Sequence, residues 1–473
     1  MSTTSPGAVA PRTAVTTIFT FGTVGLPLAG IALIYAVYLP RYLVGLGVSF
    51  VAVSAAIFTV RFIDTAFDPL IALVMDRTRT PIGRYRPWLI AGSPFAMLGI
   101  YKLLMPAGRV DAPYIILWLV VTYLGTSMLN LGLAAWGAVL AKNYDDRTRL
   151  YGLTQAMAVV GSVGLLLLPL FTQGKVVAGK AASMPTIGLI LMVCLPLAVA
   201  VCTLLTPERL AAAAPRRRFS LGAYAQAMSR PSILRIVLAD LMLTLGPGTT
   251  APLYVFFFHD AKGFSISAVG LLLIAYIGAG LVGAPFWARV AHKLGKHRTV
   301  QIACVAYAIS QTILMAIPRV WPGYSLVDAL PTVAGMFVVG FVASAFLLLI
   351  RAMVADVVDE VKLENGQDLT SLLFSMVTTT TKIGATITVL AVFPVLQMVG
   401  YNGREGAVNT HAAILGLEIC YLFAPIILVF GGGAALIGYK LDARRHGEIR
   451  AALEERELST HFAAAEESLV GPA

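Results

Sequence analysis

The sequence predicts an all-helical protein with twelve transmembrane helices arranged in two similar six-helix halves. Three observations lead to this prediction. The 473 residues are 58% hydrophobic and only 12% charged, with a mean hydropathy of +0.82, whereas soluble domains average about 25% charged residues. Apolar runs of about 20 residues recur along the chain, and each is long enough to cross a bilayer. The charged residues are concentrated in short segments between these runs.

The predicted helices fall into two sets of six that are separated by a polar stretch. The first set covers 15–38, 48–75, 87–106, 113–141, 150–172 and 184–205, and the second covers 233–258, 268–290, 299–317, 330–354, 369–400 and 411–440. We therefore expect an N-terminal bundle over 14–205 and a C-terminal bundle over 233–440. Residues 206–232 are basic and interrupted by prolines, which predicts a cytoplasmic linker. Residues 1–13 and 441–473 are predicted to be a disordered N-terminal tail and a cytoplasmic C-terminal tail.

The basic residues set the expected orientation in the membrane. The net charge is +11, and lysine and arginine gather in every second loop, as the positive-inside rule requires of cytoplasmic loops. Both termini are then cytoplasmic, and we expect a monomeric, multi-pass protein of the bacterial inner membrane in contact with lipids. Because the charge sits in short loops between spans, it does not indicate a nucleic-acid partner.

The two halves also resemble each other in their loops. GRYR at 83–86 follows the second predicted helix, and GKHR at 295–298 follows the eighth. KNYDDRTRLYG at 142–152 and ADVVDEVKLENG at 355–366 each follow the fourth helix of their half. Two six-helix halves related in this way are the plan of the major facilitator fold, which has a central cavity between them.

The second predicted helix carries three charged residues inside an apolar run. Arg61, Asp64 and Asp68 recur at i, i+3 and i+7, so they share one helix face. Arg61 can neutralise one of the two acids, and the second acid would then either take up a proton or recruit a cation. Carboxylates with nearby hydroxyls, here those of Thr126 and Ser127, suit a hard cation such as Na⁺. The alternative is a static ion-pair clamp between helices.

The second half contributes a lysine and an acid at membrane depth. Lys382 lies about a dozen residues into the eleventh predicted helix, with Thr378, a candidate substrate-binding residue, on the same face. We expect it to pair with the acids of the second helix, and the alternative is snorkelling to the cytoplasmic edge. Asp240 on the seventh helix is a candidate substrate-binding residue, although it could instead pair with Arg235.

The stretch RFIDTAFDPLIALVMDRTRTPIGRYRPW, 61–88, resembles the second-helix signature of the glycoside–pentoside–hexuronide:cation symporters, the melibiose-permease family. The resemblance extends to 134–150, 351–366 and Lys382. It implies cation-coupled sugar symport by alternating access, in the major facilitator fold. In that family's pattern, Asp64 and Asp68 match the cation-site carboxylates, and Lys382 matches the lysine of the eleventh helix. Arg61 matches the arginine of the second helix.

The sugar site of that family is matched less well. Its sugar permeases use an acid on the first helix and another on the fourth, but the first helix here has no acid. On the fourth helix the family acid aligns with Asn130 or Leu133. Trp136 is a candidate aromatic platform for a sugar, or a packing residue. The alternative cargo is therefore an amphiphilic or anionic solute, such as a lysolipid, a steroid-like compound or a carboxylate.

The motifs exclude an enzyme and indicate a conformational gate. No G-x-S-x-G, H-E-x-x-H or phosphate-binding loop is present, so we expect no enzymatic activity and no cofactor other than a coupling ion, Na⁺ or H⁺. The charged loop after the second helix should pair with the acidic loop 355–368 when the cavity opens outward. The gate residues in this prediction are Asp76, Arg77, Arg84, Arg86, Asp356 and Asp359.

Overall fold

The structure is a computed structural model, and it describes most of the chain. The described residues are 14–140, 144–172, 184–208, 230–321, 323–365, 370–404, 406–439, 441, 445–449 and 451–455. The predicted N-terminal tail, most of the predicted linker and the end of the C-terminal tail lie outside them.

The described residues form helices at each of the twelve predicted positions. The first half contains α1 (Val15–Gly45), α2 (Phe50–Arg77), α3 (Arg86–Leu104), α4 (Ala112–Leu140), α5 (Tyr144–Thr172) and α6 (Met184–Leu205). The second half contains α7 (Pro231–Ala261), α8 (Ile266–Leu294), α9 (Lys296–Ala316), α10 (Leu326–Asn365), α11 (Thr370–Met398) and α12 (His411–Ala435).

Length and hydropathy identify most of these helices as membrane spans. Among the described residues, eleven helices are long and apolar enough to cross a bilayer, and Ile387–Met398 of α11 is a shorter apolar helix. Many large apolar side chains on the spans are exposed, among them Leu204, Leu281 and Ile313. Such surfaces are compatible with lipid and not with water. The prediction of an all-helical, multi-pass membrane protein is confirmed.

Two helices, α1 and α10, extend furthest beyond their predicted C-terminal ends. In α1 a π-helical turn, Ile34–Tyr38, leads into Leu39–Gly45, which has Pro40 near its start. Because proline has no N–H to donate, the change of hydrogen-bond register lets the helix continue past it. The prediction that α10 ends at 354 is wrong, because the acidic segment is helical to Asn365. Val354, Val357, Val358 and Val361 are all buried there, and this spacing gives the segment an apolar face.

The chain divides into two compact units. The first comprises Met1–Arg216, Ala251–Ile274 and Val389–Leu417, and the second comprises Arg217–Thr250, Ala275–Thr388 and Glu418–Ala473. These units do not coincide with the two halves of the sequence, because segments of α7, α8, α11 and α12 belong to the first unit.

A close contact between α3 and α4 organises the first unit around the acids of α2. A Cβ on Gly92 would stand 2.8 Å from the carbonyl oxygen of Gly125, so the two backbones touch where both residues lack a side chain. The α4 helix also packs along α2. The polar residues Thr126 and Ser127, which directly follow Gly125, are thereby buried.

Candidate cation-coupling site

The acids of α2 lie in a helix that begins with a capped N-terminus. Ser49 accepts a hydrogen bond from the Ala52 amide at 3.2 Å, which satisfies one of the first free N–H groups. About four turns into the helix, Asp64 is only 5% exposed. Asp68, one turn further, is partly exposed. A carboxylate removed from water needs a compensating partner.

Ser127 of α4 supplies one such partner. Its hydroxyl donates a hydrogen bond to Asp64 Oδ1 at 2.8 Å, and both side chains are buried. The neighbouring hydroxyl of Thr126 instead donates to the carbonyl oxygen of Tyr123 in its own helix, at 3.2 Å. The structure therefore joins Ser127 to Asp64, one of the two acids predicted for the cation site, and it turns the Thr126 hydroxyl toward the α4 backbone.

Arg61 lies beside Asp64, at the longest distance that still counts as an ion pair. Its Nη1 is 4.0 Å from Asp64 Oδ2, and its Cζ is 4.3 Å from the ring centroid of Tyr123. The ring face attracts the guanidinium, so the arginine is shared between a carboxylate and an aromatic ring. Sequence reasoning missed Tyr123, although it lies one turn before Ser127 on the same face of α4.

Contacts with α1 hold Tyr123 in place. Its ring makes an edge contact with Tyr35 at 6.2 Å between centroids, and the Tyr35 hydroxyl donates to Thr122 Oγ1 at 3.3 Å. These contacts connect α1 and α4 beside the carboxylates of α2. The site thus combines residues from three helices of the first unit.

The donor atoms of this site suit a small hard cation. Carboxylate and hydroxyl oxygens from Asp64, Asp68 and Ser127 are the ligands that Na⁺ accepts, and a proton is the alternative occupant of the same carboxylates. Among the described residues, no group of three or more His, Cys, Asp or Glu side chains is arranged to hold a metal ion.

The lysine of α11 belongs to the other compact unit. Lys382 is partly exposed in α11, and its pairing with the acids of α2 remains a prediction. The side chain of Thr378, which was predicted to lie on the same face, is outside the described residues. Asp240 of α7 is 2% exposed and lines a cavity of the second unit.

Two predicted substrate residues of α4 have different surroundings. Asn130 is exposed, and its amide donates to the carbonyl oxygen of Thr126 at 2.9 Å. Trp136 is 0% exposed, with its ring edge-on to Phe21 at 5.9 Å and the Arg86 guanidinium 5.8 Å from it. This environment favours the packing alternative for Trp136, because neither face of the ring is open to a solute.

The arginine-rich loop after α2 is organised by an acid that sequence reasoning missed. Glu208 accepts hydrogen bonds from the amides of Arg84, Tyr85 and Arg86, at 2.5, 2.8 and 3.3 Å. These amides lie at the N-terminus of α3, where helix N–H groups have no partner within the helix. The Arg86 guanidinium also donates to the carbonyl oxygen of Thr206 at 2.8 Å. Glu208 thereby fastens the end of α6 to the start of α3.

The remaining gate residues are distributed over both units. Arg77 is exposed, and the side chain of Asp76 lies outside the described residues. In the second unit, Lys296 donates to both oxygens of Asp356 at 2.6 and 2.7 Å. His446 lies 3.1 Å from Asp359 and 3.4 Å from Asp356. Pairing between the arginine loop and these acids remains a prediction.

A second charged cluster of the first unit joins α1 to α7. The Arg41 guanidinium donates to both oxygens of Asp260, at 2.7 and 2.8 Å, and the Tyr401 hydroxyl donates to Asp260 as well. Burial, and then the charge of Asp260, raise the pKa of Tyr401 above its usual range, so the phenol keeps the proton that it donates. Phe50 packs against Phe256 and Tyr401 at centroid distances of 5.5 and 5.9 Å.

Comparisons with known proteins identify the family. The model of the MFS/sugar transport protein family matches residues 20–443. The isoprimeverose transporter of Lactiplantibacillus pentosus is 25% identical over 411 residues, which cover 84% of this chain and 82% of that protein. The putative glycoside/cation symporter YagG of Escherichia coli K12 is 26% identical over 411 residues, covering 84% of this chain and 85% of that protein.

Solved structures agree on the fold. The crystal structure of the nucleoside transporter NupG aligns with a TM-score of 0.67 at 13% identity, over 90% of this chain and all of that chain. A bacterial homologue of the iron transporter ferroportin aligns with a TM-score of 0.60 at 14% identity, over 89% of this chain and 98% of that chain. The predicted major facilitator fold is confirmed, and the chain belongs to the MFS/sugar transport protein family.

Proposed function

We propose that this protein is a secondary active transporter that moves a sugar or glycoside together with Na⁺ or H⁺ by alternating access. The observation that supports it most directly is the hydrogen bond from Ser127 to the buried Asp64 beside Arg61. Buried carboxylates inside a membrane span are costly, and they mark ion or proton pathways.

The mechanism follows from the competition for Asp64. In the cation-free state, the Ser127 hydroxyl and the Arg61 guanidinium both stabilise the carboxylate. An entering cation replaces part of that stabilisation, with Asp64, Asp68 and Ser127 as its oxygen ligands. Arg61 can then rest on the Tyr123 ring, which is 4.3 Å from its Cζ. The charge state of the site thus depends on whether the ion is bound. Ion and solute transport are coupled when only some of these charge states allow the protein to change between its outward-open and inward-open states.

The cargo is inferred from the relatives. One relative is named as a transporter of isoprimeverose and another as a putative glycoside/cation symporter. A zebrafish relative, the sodium-dependent lysophosphatidylcholine symporter 1-B, is 22% identical over 444 residues. It keeps the lysolipid alternative open, and the acid-free first helix favours that alternative. We place the protein in the bacterial inner membrane as a monomer with both termini in the cytoplasm.

Uptake into proteoliposomes tests this function. The purified protein is reconstituted and offered isoprimeverose, D-xylose, methyl β-D-xyloside and lysophosphatidylcholine, with an inward Na⁺ gradient, an inward H⁺ gradient or neither. We expect concentrative uptake of at least one sugar under one ion gradient. Uptake of lysophosphatidylcholine alone would replace the sugar with a lysolipid, and equal uptake with and without both gradients would refute symport.

Two variants test the site itself. Asp64→Asn should abolish concentrative uptake, and Ser127→Ala should weaken the apparent ion affinity about tenfold, because the bound ion loses the hydroxyl as one of its oxygen ligands. Ser54→Ala is the matched control, because Ser54 is also a buried serine, and its hydroxyl donates only to the Val51 carbonyl of α2. Equal effects of the two serine substitutions would contradict the assignment.

A further inference from the structure

A cavity in the second unit contains a buried acid that the cation site does not use. Asp240 lies ten residues into α7 and is 2% exposed. Its nearest basic residue on α7, Arg235, donates instead to the carbonyl oxygen of Gly438 at 2.6 Å. The sequence left open that Arg235 pairs with Asp240, but in this structure Arg235 bonds to Gly438 instead.

The cavity is built from one face of each of three helices. Asp240, Thr244 and Pro247 recur at i, i+4 and i+7 on α7, and Gly340, Ser344 and Leu347 recur in the same way on α10. Tyr276 and Gly280 line it from α8. Gly340 lets α10 approach α8 closely, because a Cβ there would overlap the carbonyl oxygen of Tyr276. Beside this contact the three helices leave a cavity with a volume of about 400 Å³.

The lining combines a small number of polar groups with an apolar surface. Its lining includes Asp240 and three hydroxyl-bearing residues, Thr244, Tyr276 and Ser344. The Ser344 hydroxyl donates to the carbonyl oxygen of Phe341 at 2.7 Å, and its oxygen can still accept a hydrogen bond. Phe346 and leucine side chains supply apolar contacts. Cavities of this size and composition are typical of sites for small organic molecules. A monovalent cation would occupy only a small part of this volume.

From this lining we infer that the cavity is a binding site for a neutral polyhydroxylated solute, with Asp240 as the residue that selects for hydroxyl groups. This assignment rests on the proposed function and specifies its substrate contact. The Asp240 carboxylate accepts hydrogen bonds from two adjacent hydroxyls of the sugar, because its two oxygens can accept from two donors side by side. The apolar lining contacts the C–H faces of the ring. Asp240 thereby supplies the carboxylate that α1 and α4 lack.

Calorimetric titration of sugars tests the assignment. The parent, Asp240→Asn and Glu418→Gln are titrated with isoprimeverose, D-xylose and methyl β-D-xyloside, and then with xylosides that lack one hydroxyl each. Glu418→Gln is the matched control, since Glu418 is an acid of α12 within a span that does not line the cavity. We expect Asp240→Asn to weaken sugar binding about 10- to 100-fold, the range of a hydrogen bond to a charged group, and Glu418→Gln to leave it unchanged.

The deoxy sugars give the decisive comparison. Removing a sugar hydroxyl that Asp240 binds should lower the affinity of the parent about tenfold or more. The same removal should lower the affinity of Asp240→Asn much less, because the effects of changing two groups that interact are not additive. If Na⁺ raises the melting temperature of the parent, the same rise should survive in Asp240→Asn. Unchanged sugar affinity in that variant would overturn the assignment. Loss of the Na⁺ response with sugar binding retained would also overturn it and assign Asp240 to the cation.

A labelling experiment covers the case in which Asp240→Asn does not fold. Thr244→Cys is reacted with a maleimide, and modification of residue 244 is followed by peptide mass spectrometry, because the chain has free cysteines of its own. Saturating sugar should slow labelling at 244, and an unchanged labelling rate would overturn the assignment. A parent that binds none of the sugars refutes the proposed cargo, and this assignment with it. Sugar binding that is insensitive to Asp240 refutes this assignment alone.

Discussion

Arg41 and Asp260 face each other through two parallel hydrogen bonds, from Nη1 to Oδ2 at 2.7 Å and from Nη2 to Oδ1 at 2.8 Å. Such a paired geometry is the strongest form of arginine–carboxylate contact. Arg41 comes from the first half of the sequence and Asp260 from the second, and both belong to the first compact unit. If the halves of a transporter separate on one side during alternating access, contacts of this kind must break.

Removing either partner should destabilise the first unit. Arg41→Ala and Asp260→Asn each leave a mostly buried partner without its counterpart, and the two changes should couple by about 1–3 kcal/mol in a double-variant cycle. Thermal unfolding in detergent measures this coupling. The melting temperature of the double variant should fall by less than the sum of the decreases in the two single variants. Arg109→Ala, an exposed loop arginine, is the control and should have little effect. Strict additivity would show that the pair contributes nothing jointly.

Tyr401→Phe should change how stability depends on alkaline pH. The folded state raises the pKa of Tyr401, so the folded chain holds this proton more tightly than the unfolded chain. The resulting stabilisation is fully present below the usual tyrosine pKa of about 10 and is lost as pH rises through the folded pKa. Melting curves between pH 8 and pH 11 should therefore fall less steeply for Tyr401→Phe than for the parent. Parallel curves would contradict the raised pKa.

Glu208→Gln should loosen the loop before α3. The carboxylate accepts three amide hydrogen bonds at a helix N-terminus, where a negative charge is also favoured by the helix dipole. A neutral amide should cost about 1–2 kcal/mol of stability. Glu448→Gln breaks an exposed pair with Arg445 and should cost less than about 1 kcal/mol. Chemical or thermal unfolding of both variants makes the comparison, and equal losses would argue against the capping role.

Lys382 should interact with the acids of α2. Without a cation, we expect its ammonium to neutralise Asp64 or Asp68, and cation entry should displace it. Lys382→Ala should then alter the apparent cation affinity and loosen coupling. Combining Lys382→Ala with Asp64→Asn or Asp68→Asn tests this interaction, with cation affinity measured by Na⁺ titration. If the two groups act independently, their effects on the free energy of cation binding add. Additivity for both pairs would show that Lys382 acts elsewhere.

The sequence predicted those features that depend on local pattern. The positions of the spans follow from runs of apolar residues, and the shared face of Arg61, Asp64 and Asp68 follows from helical spacing alone. The resemblance of 61–88 to a known signature identified the family. The end of α10 was misplaced because charge density suggested a loop, while the buried valines at 354, 357, 358 and 361 continue the helix.

The missed residues are those whose role depends on distant parts of the chain. Glu208 lies 122 to 124 residues from the amides that it caps, and Arg41 lies 219 residues from Asp260. No local spacing marks such pairs, because packing of separate helices creates them. Tyr123 was missed for a related reason: an aromatic residue in an apolar span looks like packing until a guanidinium is found on its face.

The length of α10 gives it a further mechanical property. Its 40 residues correspond to about 60 Å at 1.5 Å per residue, roughly twice the thickness of the bilayer core. Asp356 and Asp359 lie toward one end of this long helix, and Asp356 is about 16 Å from its middle. A rotation of about 10° around the middle would move Asp356 by about 3 Å. That displacement is as large as the 2.6 Å between Lys296 and Asp356, so a small tilt of α10 against α9 can make or break this ion pair.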